Sequence, residues 1–305
     1  MNTFLADDKK NIAYYYWLPS DGQAPKGIVQ IAHGMAEHAA RYDRFAQFLT
    51  ANGFAVYAND HRGHGNTAGD LEQVGYIEEG HFWEKTIGDM KVFLDLIKSK
   101  HPGKPVFFLG HSMGSLLGRD FISKYGNEFK GVIFSGTGGD PGFLGKVGLF
   151  LARIEAFFRG RKKPSSMLNN LSFGKFNQFF KPNRTEFDWL SRDQEEVDKY
   201  VSDPLCGTVF TTGFFIDLLE GIRRINNAVT YAATPKELPI VLMAGDRDPV
   251  GDMGKGVQQV YASYQQAGMQ NTTIKLYENA RHEILNETNR EEVFRDILAF
   301  LEKQV

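Results

Sequence analysis

The sequence predicts an α/β fold: a mostly parallel sheet flanked by helices, with a helical cap insertion. Three observations predict it. Short β-branched or aromatic runs alternate with longer segments of helical period. That alternation breaks once, between residues 138 and 233. A Gly-x-Ser-x-Gly turn sits where one of the short runs meets a helix.

Taken in order, residues 3–6 and 11–17 suit an antiparallel start to the sheet. Residues 28–32 (IVQIA), 54–58 (FAVYA), 106–109 (VFFL), 132–135 (VIFS), 240–244 (IVLMA) and 273–277 (TIKLY) read as buried strands. Segments near 42–52, 82–100, 116–125, 255–268 and 291–303 read as helices. In 82–100, Phe82, Ile87, Met90, Phe93, Leu94 and Ile97 recur at helical spacing and leave a polar outer face. Residues 1–137 and 234–305 are therefore expected to form one core domain, with 138–233 inserted as the cap. Within the insertion, Phe143, Val147, Phe150, Leu151, Ile154, Phe157 and Phe158 make a helical apolar stripe. A basic run at 159–163 and a second aromatic patch (Phe173, Phe176, Phe179, Phe180) follow. A cap must bury one face and can offer the other to a ligand, which makes Phe143, Phe150 and Ile154 candidate substrate contacts.

Composition narrows the function classes. The 305 residues carry a formal net charge of −2, so there is no global electrostatic case for nucleic acid. Cys206 is the only cysteine, which excludes an intramolecular disulfide. The N-terminal MNTFLADDKK has no basic-then-apolar signal pattern, and no run is apolar for long enough to span a bilayer. Together these point to a cytoplasmic protein. The basic run at 159–163 reads first as a solvated face and second as a peripheral contact with anionic membranes through the cap. Nothing in the pattern sets an oligomeric state.

The chemistry centres on Gly110-His111-Ser112-Met113-Gly114, directly after the strand VFFL and before a helix. Such a turn is too sharp for side chains at its glycine positions and lifts the serine above the sheet edge, where the helix N-terminus favours negative charge. A serine hydroxyl is a weak nucleophile near neutral pH and needs a base and an orienting acid, in the chain order Ser, Asp, His. His282, just after the last strand, is the only histidine C-terminal to Ser112. Asp246 and Asp248 both lie in the loop after IVLMA, and Asp248 is preferred because it lies two residues further past the strand. An oxyanion needs preorganised N–H donors. The main-chain N–H of Met113 and that of Met35, in the loop after IVQIA, are the candidates. His33, His38, His61 and His64 fall in two glycine-rich turns without a metal-binding helix motif, so no metal and no cofactor is expected. Cys206 reads as a structural thiol.

The segments HGMAEHAARY (33–42), NDHRGHG (59–65) and GHSMGS (110–115), with GDRDPVGDMGKGV and ENARHEILNE later, resemble the monoacylglycerol lipase and lysophospholipase-like branch of the α/β hydrolases, related to the S33 serine aminopeptidases. The resemblance runs from about residue 28 to the C-terminus, outside the cap. It implies an α/β-hydrolase fold, Asp248 as the acid and Met35 as an oxyanion donor. Glu37 and Arg41 match positions near the polar alcohol pocket of monoacylglycerol lipases. They are candidate glycerol contacts, or else an ion pair that braces the oxyanion loop. Leu285 stands where some of those lipases carry a further histidine. The implied activity is carboxylic-ester hydrolysis through an acyl-enzyme, on a monoacylglycerol-like ester. A lysophospholipase is one alternative. An aminopeptidase using Glu155, Glu186 or Asp188 as an amine anchor is another, and a non-catalytic binding module is a third.

Overall fold

The computed structural model describes residues 1–77 and 80–305. Eight strands form one sheet: β1 (Asn2–Leu5), β2 (Asn11–Trp17), β3 (Gly27–Ala32), β4 (Phe54–Asn59), β5 (Val106–His111), β6 (Gly131–Ser135), β7 (Ile240–Gly245) and β8 (Thr272–Tyr277). Their spatial order is β1-β2-β4-β3-β5-β6-β7-β8. The first two strands pair antiparallel, β2 runs antiparallel to β4, and every later pairing is parallel. The chain steps from β3 to β4 on one side and then to β5 on the other. The order therefore reverses between β3 and β5, and such a point opens a crevice at the strands' carboxyl ends. The register aligns those ends, with Ala32 opposite Gly110 and His111 opposite Ser135.

The helices are α1 (Asp43–Ala51), α2 (Phe82–Lys100), α3 (Met113–Tyr125), α4 (Gly142–Arg159), α5 (Ser166–Phe173), α6 (Gln194–Ser202), α7 (Thr212–Ile225), α8 (Ala228–Ala233), α9 (Lys255–Gln266) and α10 (Arg290–Glu302). Helices cover both faces of the sheet, so all six residues of β3 and of β4 are buried, which is why these strands read as continuous apolar runs. On one face Phe45 and Leu49 of α1 pack with Phe294, Ile297 and Leu301 of α10 against Val29, Ile31 and Val56. On the other, Phe93 of α2, Leu117 and Phe121 of α3, and Val257 and Val260 of α9 close a second core.

Helices α4–α8 lie between β6 and β7 and form the cap. Among the described residues, this stretch has no sheet strand, only an isolated bridge between Pro164 and Thr211. The cap is tied to the core through α7. Asp217 accepts the Phe82 N–H at the start of α2 at 2.8 Å, and Gly221 lies so close to Trp83 that a Cβ there would fall 2.1 Å from the indole. Among the described residues, no helix is long and apolar enough to cross a membrane.

Candidate active site

Strand β5 ends at His111 and α3 begins at Met113, leaving Ser112 alone at the apex of the turn. Its φ of 50° and ψ of −119° are a strained conformation for a residue with a side chain, costing about 1–3 kcal/mol. The turn is held by the Ser112 N–H, which donates to Ser135 O at 2.9 Å, and by Ser112 O, which accepts the Ser115 N–H at 2.8 Å. The motif glycines are demanded by close approach. A Cβ on Gly110 would lie 2.5 Å from Gly114 O, and one on Gly114 would lie 2.0 Å from Ala32 O. The strain and the two glycines thus press β3, β5 and α3 together. Met113 opens α3, where backbone N–H groups lack an intrahelical acceptor.

His282 sits in the loop after β8. Its Nδ1 lies 2.9 Å from Asp248 Oδ2, and the other Asp248 oxygen accepts the Val250 N–H at 2.9 Å. Asp248 is fully buried. Asp246, by contrast, uses its N–H on Tyr277 O, and its Oδ1 has no partner among the described residues. Burial of the His282 ring, the largest single effect, disfavours its charged form, but the charge and hydrogen bond of Asp248, with the charges of Glu283 and Glu37, together outweigh it and raise the imidazole pKa above its ordinary 6.5. With Nδ1–H given to Asp248, Nε2 keeps a free lone pair, the tautomer that a base requires. Two rings flank the imidazole: His111, with centroids 4.7 Å apart, and Trp189 of the cap, 5.2 Å away. His111 is pushed down to about 4, first by burial and then by His282, and so stays neutral.

Ser112, His282, Met35 and Met113 all border one cavity of about 650 Å³ between the sheet edge and the cap. Its apolar wall includes Leu116 of α3, Leu218 and Ile222 of α7, and Phe173, Phe176 and Trp189 of the cap. Of the cap residues singled out in the sequence, Phe143, Phe150 and Ile154 are not among its lining residues. They are 76%, 63% and 39% exposed. Helix α4 packs on α7 and buries Leu149 and Ala152, which turns its phenylalanine-rich flank outward. Sequence reading missed α7 and Trp189. The apolar residues of TGFFIDLLEGIRRI have helical spacing, so α7 carried a usable signal. Trp189 stands alone and carried none.

Glu37 and Arg41 meet behind the floor of this cavity. Glu37 Oε1 accepts the Gly34 N–H at 2.6 Å and the Tyr42 hydroxyl at 2.9 Å. Arg41 donates to Glu37 Oε2 at 2.6 Å and, with both terminal nitrogens, to Glu283 at 2.7 Å. Glu37 borders the large cavity, whereas Arg41 does not and faces a small chamber of about 20 Å³ shared with His111 and Asn286.

His33, His61 and His64 are buried and packed together. Burial, with His61 second, drives His33 well below its ordinary pKa, and burial holds His61 and His64 at about 3. Both His33 nitrogens are engaged, Nδ1 on Gly34 O at 2.7 Å and Nε2 on the His61 N–H at 2.9 Å, which leaves no lone pair for a metal. Among the described residues, the one group at metal-ligand spacing is His38, Asp203 and Cys206. There His38 Nε2 and Asp203 already share a hydrogen bond of 2.8 Å, and burial pushes the Cys206 thiol well up, so that it keeps its proton.

The profile of the family described as serine aminopeptidase, S33 (Hydrolase_4) matches residues 23–289. The human monoglyceride lipase is 31% identical over 273 residues, spanning 88% of this chain and 78% of that protein. The monoacylglycerol lipase of Mycolicibacterium smegmatis is 27% identical, over 95% of this chain and 92% of its own length. Among solved structures, a highly thermostable carboxyl esterase from Bacillus coagulans in complex with glycerol superimposes with a TM-score of 0.91. It is 28% identical and covers 99% of this chain and 97% of its own.

Proposed function

The chain belongs to the serine aminopeptidase S33 (Hydrolase_4) family of α/β hydrolases, and from that premise we propose that it hydrolyses monoacylglycerol-type esters through an acyl-enzyme on Ser112. At the coarser level the chain is a serine hydrolase of the esterase and lipase type, acting on small acyl esters. In the proposed reaction His282 takes the Ser112 proton as Oγ attacks the ester carbonyl, and Asp248 holds the imidazole and stabilises its cationic form. The N–H groups of Met35 and Met113 receive the oxyanion. Collapse expels the alcohol, protonated by His282. Water, deprotonated by the same imidazole, then releases the acid.

One observation carries the substrate reading: the cavity that Ser112 and His282 border continues into a wall of Leu116, Phe173, Leu218 and Ile222. Each methylene buried there is worth about 0.8 kcal/mol, a threefold to fourfold gain per carbon. The test is kcat/KM across nitrophenyl esters from acetyl to octanoyl, alongside monoacylglycerols, lysophospholipids and aminoacyl amides. A steep rise with chain length and turnover of monoacylglycerol support the reading. A profile that is flat or highest at acetyl contradicts it. The family's peptidase description gives the amide arm its place, because Glu186 borders the cavity while Glu155 and Asp188 are bonded within the cap. A preference for free-amine substrates would assign Glu186 as their anchor.

The outer surface of α4 supports a peripheral contact with lipid. Phe143, Leu144, Phe157 and Phe158 are 76–83% exposed along one helix. Within the basic run, Arg159 is paired with Glu155 and Arg161 with Asp217, so the apolar surface of α4 carries this reading.

A further inference from the structure

We infer that Glu283, acting through Arg41, is a positioning residue that holds the histidine loop and the oxyanion loop in one register, and that Arg41 is a clamp rather than an alcohol ligand. The inference rests on the esterase reading above. Glu283 directly follows His282. Its two carboxylate oxygens accept the Arg41 guanidinium in a two-pronged bond of 2.7 Å each, and Asn286 Nδ2 adds a third contact at 2.9 Å. Arg41 reaches on to Glu37 at 2.6 Å, and Glu37 accepts the N–H of Gly34, the residue before Met35, at 2.6 Å. A continuous line of charge-assisted hydrogen bonds therefore runs from the neighbour of the base to the peptide beside the oxyanion donor. It joins groups 242 residues apart in the chain.

The cap closes over the same line. The Arg41 guanidinium lies 4.9 Å from the centre of the Tyr200 ring, and the Tyr200 hydroxyl donates to Ala36 O at 2.9 Å, on the far side of Met35. The Glu283 N–H donates to Leu190 O at 2.8 Å. The side chains of Arg41, Glu37 and Glu283 are only 11%, 5% and 6% exposed. Burying two carboxylates and one guanidinium is costly unless every donor and acceptor is met, and a site that meets them fixes one geometry. Arg41 directs three hydrogen bonds to Glu37 and Glu283, and it does not border the large cavity.

The test uses two esters of one acid, monooctanoylglycerol and ethyl octanoate, with kcat and KM measured for each. Glu283→Gln keeps the shape but removes the charge that grips Arg41. On both esters alike, kcat should fall about 10- to 100-fold, the scale of a misplaced catalytic group, while KM changes less than about threefold. Glu283→Asp should recover part of the loss. Glu37→Gln should act similarly, and the double variant should cost less than the product of the singles, because both act through Arg41. If Glu283→Gln does not fold, Arg41→Lys carries the same comparison, since an ammonium lacks the planar fork. A loss confined to the glycerol ester, or a raised KM at unchanged kcat, would make Arg41 an alcohol contact and overturn the inference. Wild-type kcat in Glu283→Gln would overturn it as well. Failure of the wild-type protein to turn over either ester would defeat the esterase reading itself, a separate outcome.

Discussion

The carboxyl edge of the sheet and the outer helix of the cap are opposites. At the edge, Ser112 is held in a strained turn, Asp248 is buried on His282 and Val250, and Glu37, Arg41 and Glu283 are bonded to one another. Along α4, large apolar side chains such as Phe143, Phe157 and Phe158 stand 76–83% exposed. The first region stores strain and desolvation cost in a fixed geometry. The second leaves hydrophobic surface unspent. The difference separates two tasks, bond chemistry at the edge and delivery of an apolar substrate at the outer helix, and it predicts that substitutions in the two regions fail differently.

The largest effect belongs to the edge. Asp248→Asn should lower kcat about 10⁴-fold by stabilising the wrong imidazole tautomer, whereas Asp246→Asn should stay within about tenfold of wild type. The reverse ranking in steady-state kinetics would move the orienting acid to Asp246.

The pH profile sharpens the same point. His282 must be neutral to act as a base, and its pKa is raised because Asp248, Glu283 and Glu37 together outweigh burial. As pH falls through that raised value the ring protonates and activity is lost, about tenfold per unit below it. The acid limb of kcat/KM should therefore lie above the ordinary imidazole value of 6.5. In Asp248→Asn the residual limb should move to lower pH, because the charge that held the proton is gone. An unmoved limb would show that another group controls it.

Between the two regions lies the cavity wall. Leu218→Ala should lower kcat/KM for octanoyl esters about five- to tenfold while leaving acetyl esters unchanged. Equal losses on both would make Leu218 a packing residue only. The smallest effect belongs to the outer helix. Phe143→Ser with Phe157→Ser should leave turnover of a soluble short ester within about twofold but weaken co-sedimentation with lipid vesicles. A loss on the soluble ester would show that α4 reaches the cleft after all.

The same contrast explains what was legible in the sequence. The strands and flanking helices were readable because burial on both faces imposes apolar runs on β3–β7 and helical spacing on α2. The surroundings of Ser112 were readable because Gly110 and Gly114 are required by contacts of 2.5 and 2.0 Å that no side chain survives. Periodicity showed that α4 has an apolar stripe, but not whether Phe143, Phe150 and Ile154 face the cleft or the solvent, since that depends on how α4 docks on α7. Glu283 was illegible for a different reason. Its partner Arg41 is 242 residues away, and a lone glutamate after a histidine carries no local pattern. Trp189 lies against His282 only because the cap folds back over the loop after β8.

The most direct measurement is fluorophosphonate labelling read by peptide mapping, with ester turnover measured on the same samples. The wild-type protein should take up one phosphonyl group, on the peptide that holds Ser112. Ser112→Ala should keep the fold and lose both the label and at least about 10⁴-fold of the turnover. Labelling or turnover that persists in Ser112→Ala would contradict the assignment of Ser112 as the nucleophile.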